Sequence, residues 1–183
     1  MENQNTNNTQ NNIQLNLFIS DLAEYNAGNL VGKWFDALTE FDAMSAYIDD
    51  IVGKRHEWFI SDSESDLFEV SEFHSIDELE EIAEIIKESG FDSSIANLIK
   101  NYTDDRTEII SIIEENNIIV LNGLPTEQEA LGEYVFDLLI EYEPDNFLYQ
   151  YFDFEKFGRD LLITDYRYLG HNVDYDHVYI LND

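Results

Sequence analysis

The 183-residue chain has no cysteine, which excludes a disulfide framework, a thiolate metal site and a cysteine nucleophile. Basic residues are scarce: nine Lys and Arg face forty Asp and Glu, for a formal net charge of -31. A field of that sign repels nucleic acid and anionic membranes alike, so neither is expected as a partner, and the natural partners are cationic. No apolar run approaches the roughly 18 residues of a membrane span. The N-terminus lacks the basic and apolar regions of a signal peptide, so a cytoplasmic protein is expected. Glycine-rich phosphate loops, the nucleophile elbow and the dinucleotide fingerprint are all missing. Proline occurs only at Pro125 and Pro144, each where a helix is expected to open or break.

What is present is material for a core. Hydrophobic residues make up 44% of the chain and aromatics 14%, far from the composition of a solvating acidic tail. Only Met1 to Asn12, almost all Asn, Gln and Thr, reads as a disordered tail. Ile13, Leu15, Leu17 and Ile19 follow the strand period of two. Tyr25 to Asn29 is turn chemistry, Leu30 to Phe35 is a second strand, and Glu57 to Ser61 is a third. Between them, Thr39 and Asp42 suggest a capping box for a helix through Ile51, with Gly53 just past its end.

Ser75 with Glu78 forms a second capping box, followed by Ile76, Leu79, Ile82, Ala83 and Ile86 at helical spacing and by Gly90 as a stop. Two more helical segments are expected over Ser94 to Lys100 and Asp105 to Glu115. Ile118 to Leu121 reads as a buried strand. Thr126 and Glu129 cap a strongly amphipathic helix through Tyr142, and a helical stretch follows from Asp145 to Leu161. Tyr166 to Leu169 and Val178 to Leu181 pair as a hairpin. The expected fold class is α+β, an elongated three-domain chain. It comprises a small antiparallel sheet with a helix (13–62), an acidic central helical domain (63–117) and a C-terminal mixed α/β domain (118–183).

The charge is uneven. Residues 1–60 carry 9 acids and 3 bases, 61–120 carry 17 and 3, and 121–183 carry 14 and 3. The middle third therefore holds the candidate partner-binding acids: Asp62, Glu64, Asp66, Glu69, Glu72, Glu80, Glu81, Glu84, Glu88, Asp104, Asp105, Glu114 and Glu115. Glu80, Glu84 and Glu88 recur every four residues, so they share a helix face at about 6 Å intervals. Like charges so placed disfavour a helix by roughly 0.2 to 0.5 kcal/mol per pair, a cost that asks for a function. Duplex DNA carries about one charge per 1.7 Å, so the net charge of one chain matches roughly 50 Å of duplex. A charge run is also what any solvated face looks like, and a salt-adapted organism acidifies all its proteins.

Other chemistries are weakly represented. Asp62 to Glu72 has the acids of a cation loop but neither the glycine nor the terminal spacing of an EF-hand, so no metal is expected. His56, His74, His171 and His177 lack zinc-helix spacing and read as surface or partly buried side chains. Paired carboxylates of a hydrolase are always available among forty acids and cannot be singled out.

Tyr25-Asn26, Gly28, Leu30, Gly32 and Trp34 after the first strand, Glu57-Trp58-Phe59-Ile60-Ser61-Asp62, and Tyr151 to Leu161 together resemble the ArdA family of antirestriction proteins. The resemblance runs from about Leu15 to Ile180, with Ser65 to Asn117 matching only in helical, acidic character. It implies a curved three-domain rod that is dimeric through its last domain. It also implies a DNA mimic that occupies the groove of type I restriction-modification enzymes, at the specificity subunit, with no catalytic residue and no cofactor. Genes of this family typically travel on mobile elements.

The segment Glu141 to Glu155 corresponds to the family's antirestriction motif, at or near the dimer interface. Tyr149, Tyr151, Phe152 and Phe154 are the homodimer candidates, and aromatics in the domain's own core would look the same. Arg159, beside Asp160 and amid acids, is expected in an ion pair. Competing readings are an acidic module that inhibits another basic DNA-binding protein or defence nuclease, and a carboxylate-pair hydrolase.

Overall fold

In the computed structural model, which describes residues 13–122, 125–140 and 147–182, the alternating residues near the N-terminus form the centre of a sheet. Strand β1 (Leu15–Asp21) lies between β2 (Gly32–Asp36) and β3 (Trp58–Ser65), antiparallel to both. Leu15, Leu17 and Ile19 are almost completely buried on one face, where α2 (Phe41–Gly53) covers all three strands with Met44, Ile48 and Ile51. The third strand runs four residues beyond Ser61. Its second half, Asp62–Ser65, has no apolar residue and exists because β1 pairs with it.

The turn expected over Tyr25 to Asn29 forms, with the Gly28 amide donating to Tyr25 O at 3.0 Å, and follows a short helix, α1 (Leu22–Asn26), whose N-cap Asp21 accepts from the amides of Ala23 and Glu24 at 3.0 and 3.2 Å. Gly28 then takes φ +86°. The capping box at Thr39 and Asp42 does not form. Glu40 is the N-cap without a side-chain bond, and the Thr39 hydroxyl instead donates to Asp36 at 2.7 Å. Gly53 is the last residue of α2 and not the residue past it.

Three helices follow: α3 (Ile76–Ser89), α4 (Ser93–Tyr102) and α5 (Arg106–Glu114). The Ser75–Glu78 capping box is present, and Gly90 ends α3 at φ +66°. Buried Leu79, Ile82, Ala83 and Ile86 are the expected inner face. Asp92 and Asp105 cap the next two helices through their side-chain oxygens.

The C-terminal sheet has the order β4-β6-β5, from β4 (Ile118–Leu121), β5 (Tyr166–His171) and β6 (His177–Leu181), all antiparallel. The β5–β6 hairpin is as expected. β4, expected to be buried, is an edge strand, and Val120 is exposed. Helix α6 (Glu127–Ile140) starts at the Thr126 cap, whose hydroxyl accepts from the Glu129 amide at 3.1 Å. Its amphipathicity is weaker than expected: Leu131, Val135 and Phe136 face inward, but Leu138 and Leu139 are exposed. A 3-10 turn, Phe147–Gln150, precedes α7 (Phe154–Thr164), which Asp153 caps at the Lys156 amide.

α6 and α7 approach so closely that a Cβ at Gly132 would lie 2.1 Å from the Phe154 carbonyl oxygen, and one at Gly158 1.8 Å from that of Gln128. Only glycine permits this contact. The Leu131, Val135 and Tyr179 cluster is packed by Phe157, Leu161, Tyr166 and Tyr168, and the buried Tyr179 hydroxyl donates to Glu127 O at 2.6 Å.

Among the described residues the architecture is thus α+β, with seven helices and two three-stranded antiparallel sheets. The chain divides into two compact units, Met1–Ser111 and Ile112–Asp183. The tail expected over residues 1–12 and the helix end expected at Tyr142 lie outside the described residues.

Candidate functional site

The sequence-derived acids sit on four successive pieces of the chain. Asp62 and Glu64 are on β3, and Asp66, Glu69 and Glu72 follow it. Glu80, Glu81, Glu84 and Glu88 are on α3, while Asp104, Asp105, Glu114 and Glu115 flank and end α5. All are exposed except Asp66, which is half-buried. Amphipathic folding is the cause on α3: once Leu79, Ile82, Ala83 and Ile86 turn inward, the glutamates have only solvent to face.

The thirteen do not behave alike. Asp66 accepts from the Gln14 amide at 2.8 Å, Asp105 caps α5, Glu64 accepts from Asn16 Nδ2 at 3.4 Å, and Glu115 accepts from Asn117 Nδ2 at 2.9 Å. These serve the fold as well as the surface. Glu80, Glu81, Glu84 and Glu88 make no hydrogen bond or ion pair among the described residues. Glu69, Glu72, Asp104 and Glu114 likewise have no side-chain bond among the described residues.

Two bases of the first unit are placed for structure. Lys100 Nζ donates to Ser65 O at 3.0 Å, tying α4 to the end of β3. Arg106 lies against the His74 ring, with Nη1 at 3.1 Å from Nε2, and over the Phe68 ring at 5.7 Å. Burial and the Arg106 charge together hold His74 below the ordinary histidine pKa. Buried Asp21 pairs with His56 Nδ1 at 2.8 Å, and that bond keeps its carboxyl below the usual range despite burial. The expected ion pair of Arg159 is not found among the described residues: Arg159 and Asp160 are both exposed on α7. Their positions on the outer side of α7 leave them in solvent.

His74 and His177 are buried, more deeply than expected, because one is roofed by Arg106 and the other belongs to inner strand β6. No group of three or more His, Asp or Glu among the described residues is arranged to hold a metal ion.

The aromatic candidates split. Phe136 of α6 is the hub of a cluster in which Phe152, Phe154 and Tyr149 lie at centroid distances of 4.3, 5.2 and 5.8 Å. The Tyr149 hydroxyl also donates to Glu133. Tyr149 and Phe154 are thus half-buried within their own unit, Phe152 packs on Phe136 but stays 37% exposed, and Tyr151 stands apart at 82% exposed. Residues 141–146 of the segment Glu141 to Glu155 lie outside the described residues.

The sequence pattern of the antirestriction protein family ArdA matches residues 17–175, nearly the whole of both units. The chain belongs to the ArdA family. No curated protein matches it. Membership makes this a protein of an antirestriction family, one not known for catalysis, whose expected counterpart is a restriction-modification enzyme. Among the described residues no helix is long and apolar enough to cross a membrane.

The signature residues now have physical reasons. Gly158 of the Tyr151 to Leu161 stretch is where α7 meets the α6 backbone, and Gly32 lies where a Cβ would meet Phe18 Cε1 at 2.6 Å. Sequence reasoning missed a second acidic feature. Asn16, Trp34, Phe35, Asp36, Glu40 and Glu64 line an open cleft of about 380 Å³ on the first sheet. Strand register brings Asn16, Trp34, Asp36 and Glu64 together, which their spacing along the chain does not signal, and Glu40 joins through a local bond to the Asp36 amide.

Proposed function

We propose that this ArdA protein is a DNA mimic that occupies the DNA-binding groove of a type I restriction-modification enzyme, at its specificity subunit, in the cytoplasm. The unemployed glutamates of α3 carry the reading. Glu80, Glu84 and Glu88 share one helix face at about 6 Å intervals, and Lys87 is the only base of that helix. Self-repulsion of such an array opposes folding, and a cationic groove built for phosphates removes that repulsion on binding. Attraction of this kind needs neither cofactor nor catalytic residue. Within the first unit the acids on β3, on the loop after it and just before α5 are exposed too, Asp66 being half-buried.

Homodimerisation through the second unit is part of the proposal. Tyr151 supplies exposed aromatic area, and Tyr149, Phe152 and Phe154 hold the segment beneath it.

The test is displacement. The purified protein is expected to compete duplex DNA off a type I enzyme, and to do so less well as salt rises. Failure to displace DNA at low salt rejects the mechanism. Displacement of DNA from unrelated nucleases alone would favour the reading as an acidic module for another basic protein.

A further inference from the structure

We infer that the outward face of the N-terminal sheet carries a docking cleft for an arginine side chain of a basic protein partner. The strand period puts Asn16 and Phe18 of β1 on the face opposite buried Leu15, Leu17 and Ile19. Register then places Asp36 and Glu64 on either side of Asn16, and Trp34 beside Phe18. With strands about 4.8 Å apart, the Asp36 and Glu64 backbones stand about 10 Å from each other across the Asn16 amide. Glu40, from the start of α2, is the third carboxylate of the cleft.

Each acid is held but not neutralised. Asp36 accepts from the Leu38 amide at 2.9 Å and the Thr39 hydroxyl at 2.7 Å. Glu40 accepts from the Asp36 amide at 3.2 Å, and Glu64 from Asn16 at 3.4 Å. No Lys, Arg or His pairs with any of the three among the described residues. Lys33, two residues before Phe35, is directed elsewhere and sits over the Tyr47 ring at 4.8 Å.

The apolar wall is equally prepared. Trp34 is 46% exposed, and its indole is backed by Phe18 at 5.3 Å, which fits because residue 32 has no Cβ. An exposed indole beside three unpaired carboxylates suits a planar cation. A guanidinium can stack on the ring while its fork of N–H donors reaches the acids, whereas an ammonium matches the charge but not the plane. Charge complementarity therefore selects the occupant, and geometry prefers arginine to lysine.

This inference rests, like the proposed function, on a cationic protein partner, but not on the type I target or on imitation of DNA. The experiment uses the full chain carrying Trp58→Phe, so that Trp34 is the one remaining tryptophan. Argininamide and lysinamide are titrated against Trp34 emission. If Trp58→Phe impairs folding, the Asn16 and Trp34 side-chain NMR signals of the unaltered chain serve instead.

The expected result is a saturable response to argininamide, weaker for lysinamide. Glu40→Gln and Glu64→Gln should each weaken argininamide binding about two- to fivefold. Trp34→Leu, followed by the Asn16 signal, should remove the preference for arginine. A non-saturable response, equal responses to the two cations, or binding indifferent to both Gln substitutions overturns the inference. Argininamide binding together with failure to displace DNA rejects the proposed function and leaves the cleft. DNA displacement without argininamide binding rejects only the cleft.

Discussion

In the unit Met1–Ser111 the fully buried large side chains are aliphatic: Leu15, Leu17, Ile19, Met44, Ile51, Leu67, Leu79, Ile99 and Ile109. In Ile112–Asp183 the innermost cluster includes Tyr179, and aromatics ring it on three elements. The exteriors differ in the opposite sense. Among the described residues the first unit exposes six large hydrophobic residues and the second eleven, although the second is the shorter. An aliphatic core closes tightly behind each helix and leaves the outer faces free for charge. The aromatic unit leaves Leu138, Leu139, Phe147, Tyr151 and Ile163 in water, apolar area that the proposed homodimer would draw on. On the proposed reading, charge repulsion and self-association belong to different parts of one chain.

The largest expected effect breaks the second unit. Gly158→Ala forces a methyl group against the Gln128 carbonyl. Alanine's helix advantage of about 1 kcal/mol is outweighed by overpacking of about 3 kcal/mol or more. Thermal unfolding should show a drop of many degrees, and an unchanged melting temperature would disprove the close helix contact.

Acid should loosen the first unit. The folded pKa of His74 lies below its ordinary value, with burial the leading cause and the Arg106 charge the second. Its stabilisation is therefore complete above the unfolded value of 6.5 and is lost as pH falls through the folded value. Urea unfolding between pH 7.5 and 5.0 should show stability declining with acid, and His74→Gln should flatten that slope. In the second unit Asp137 is shifted the other way, upward, by burial and by Glu133. Its contribution favours the fold at low pH and fades as pH rises past the ordinary carboxylate value.

A smaller effect sharpens the comparison. Replacing Glu80, Glu84 and Glu88 together by Gln should stabilise the first unit by under about 1 kcal/mol while weakening displacement of DNA. Equal displacement by this variant would remove α3 from the interface. The smallest effect on folding belongs to Tyr151→Ser, expected within about 0.5 kcal/mol because the side chain is exposed. Sedimentation should nevertheless show more monomer, and an unchanged assembly would clear Tyr151 of a role there.

Local signals were legible where one short stretch carried both cause and effect. Ser75 with Glu78, Gly90, the β1 alternation and the C-terminal hairpin formed as the sequence indicates, because each depends on neighbours within one turn or one strand. The Thr39 box failed because Asp36, brought close by the end of β2, competes for the same hydroxyl. The polar end of β3 was invisible because its partner residues lie 44 to 50 positions earlier, and pairing outweighs local composition. The amphipathicity expected of α6 was overstated, with Leu138 and Leu139 in solvent, because periodicity cannot say which side of a helix will find a partner.

The amino-acid sequence by itself determined the sign and amount of charge, the α+β class, and the outward direction of the α3 glutamates, since apolar residues at helical spacing leave acids no other face. Tertiary structure alone decided which acids are employed as caps and tethers and which are free, that Gly132 and Gly158 face a neighbouring backbone, and that Asp36, Glu40 and Glu64 gather around Trp34. The reason is distance along the chain. Solvation and periodicity act on residues near one another, whereas register and helix crossing join residues that sequence keeps far apart.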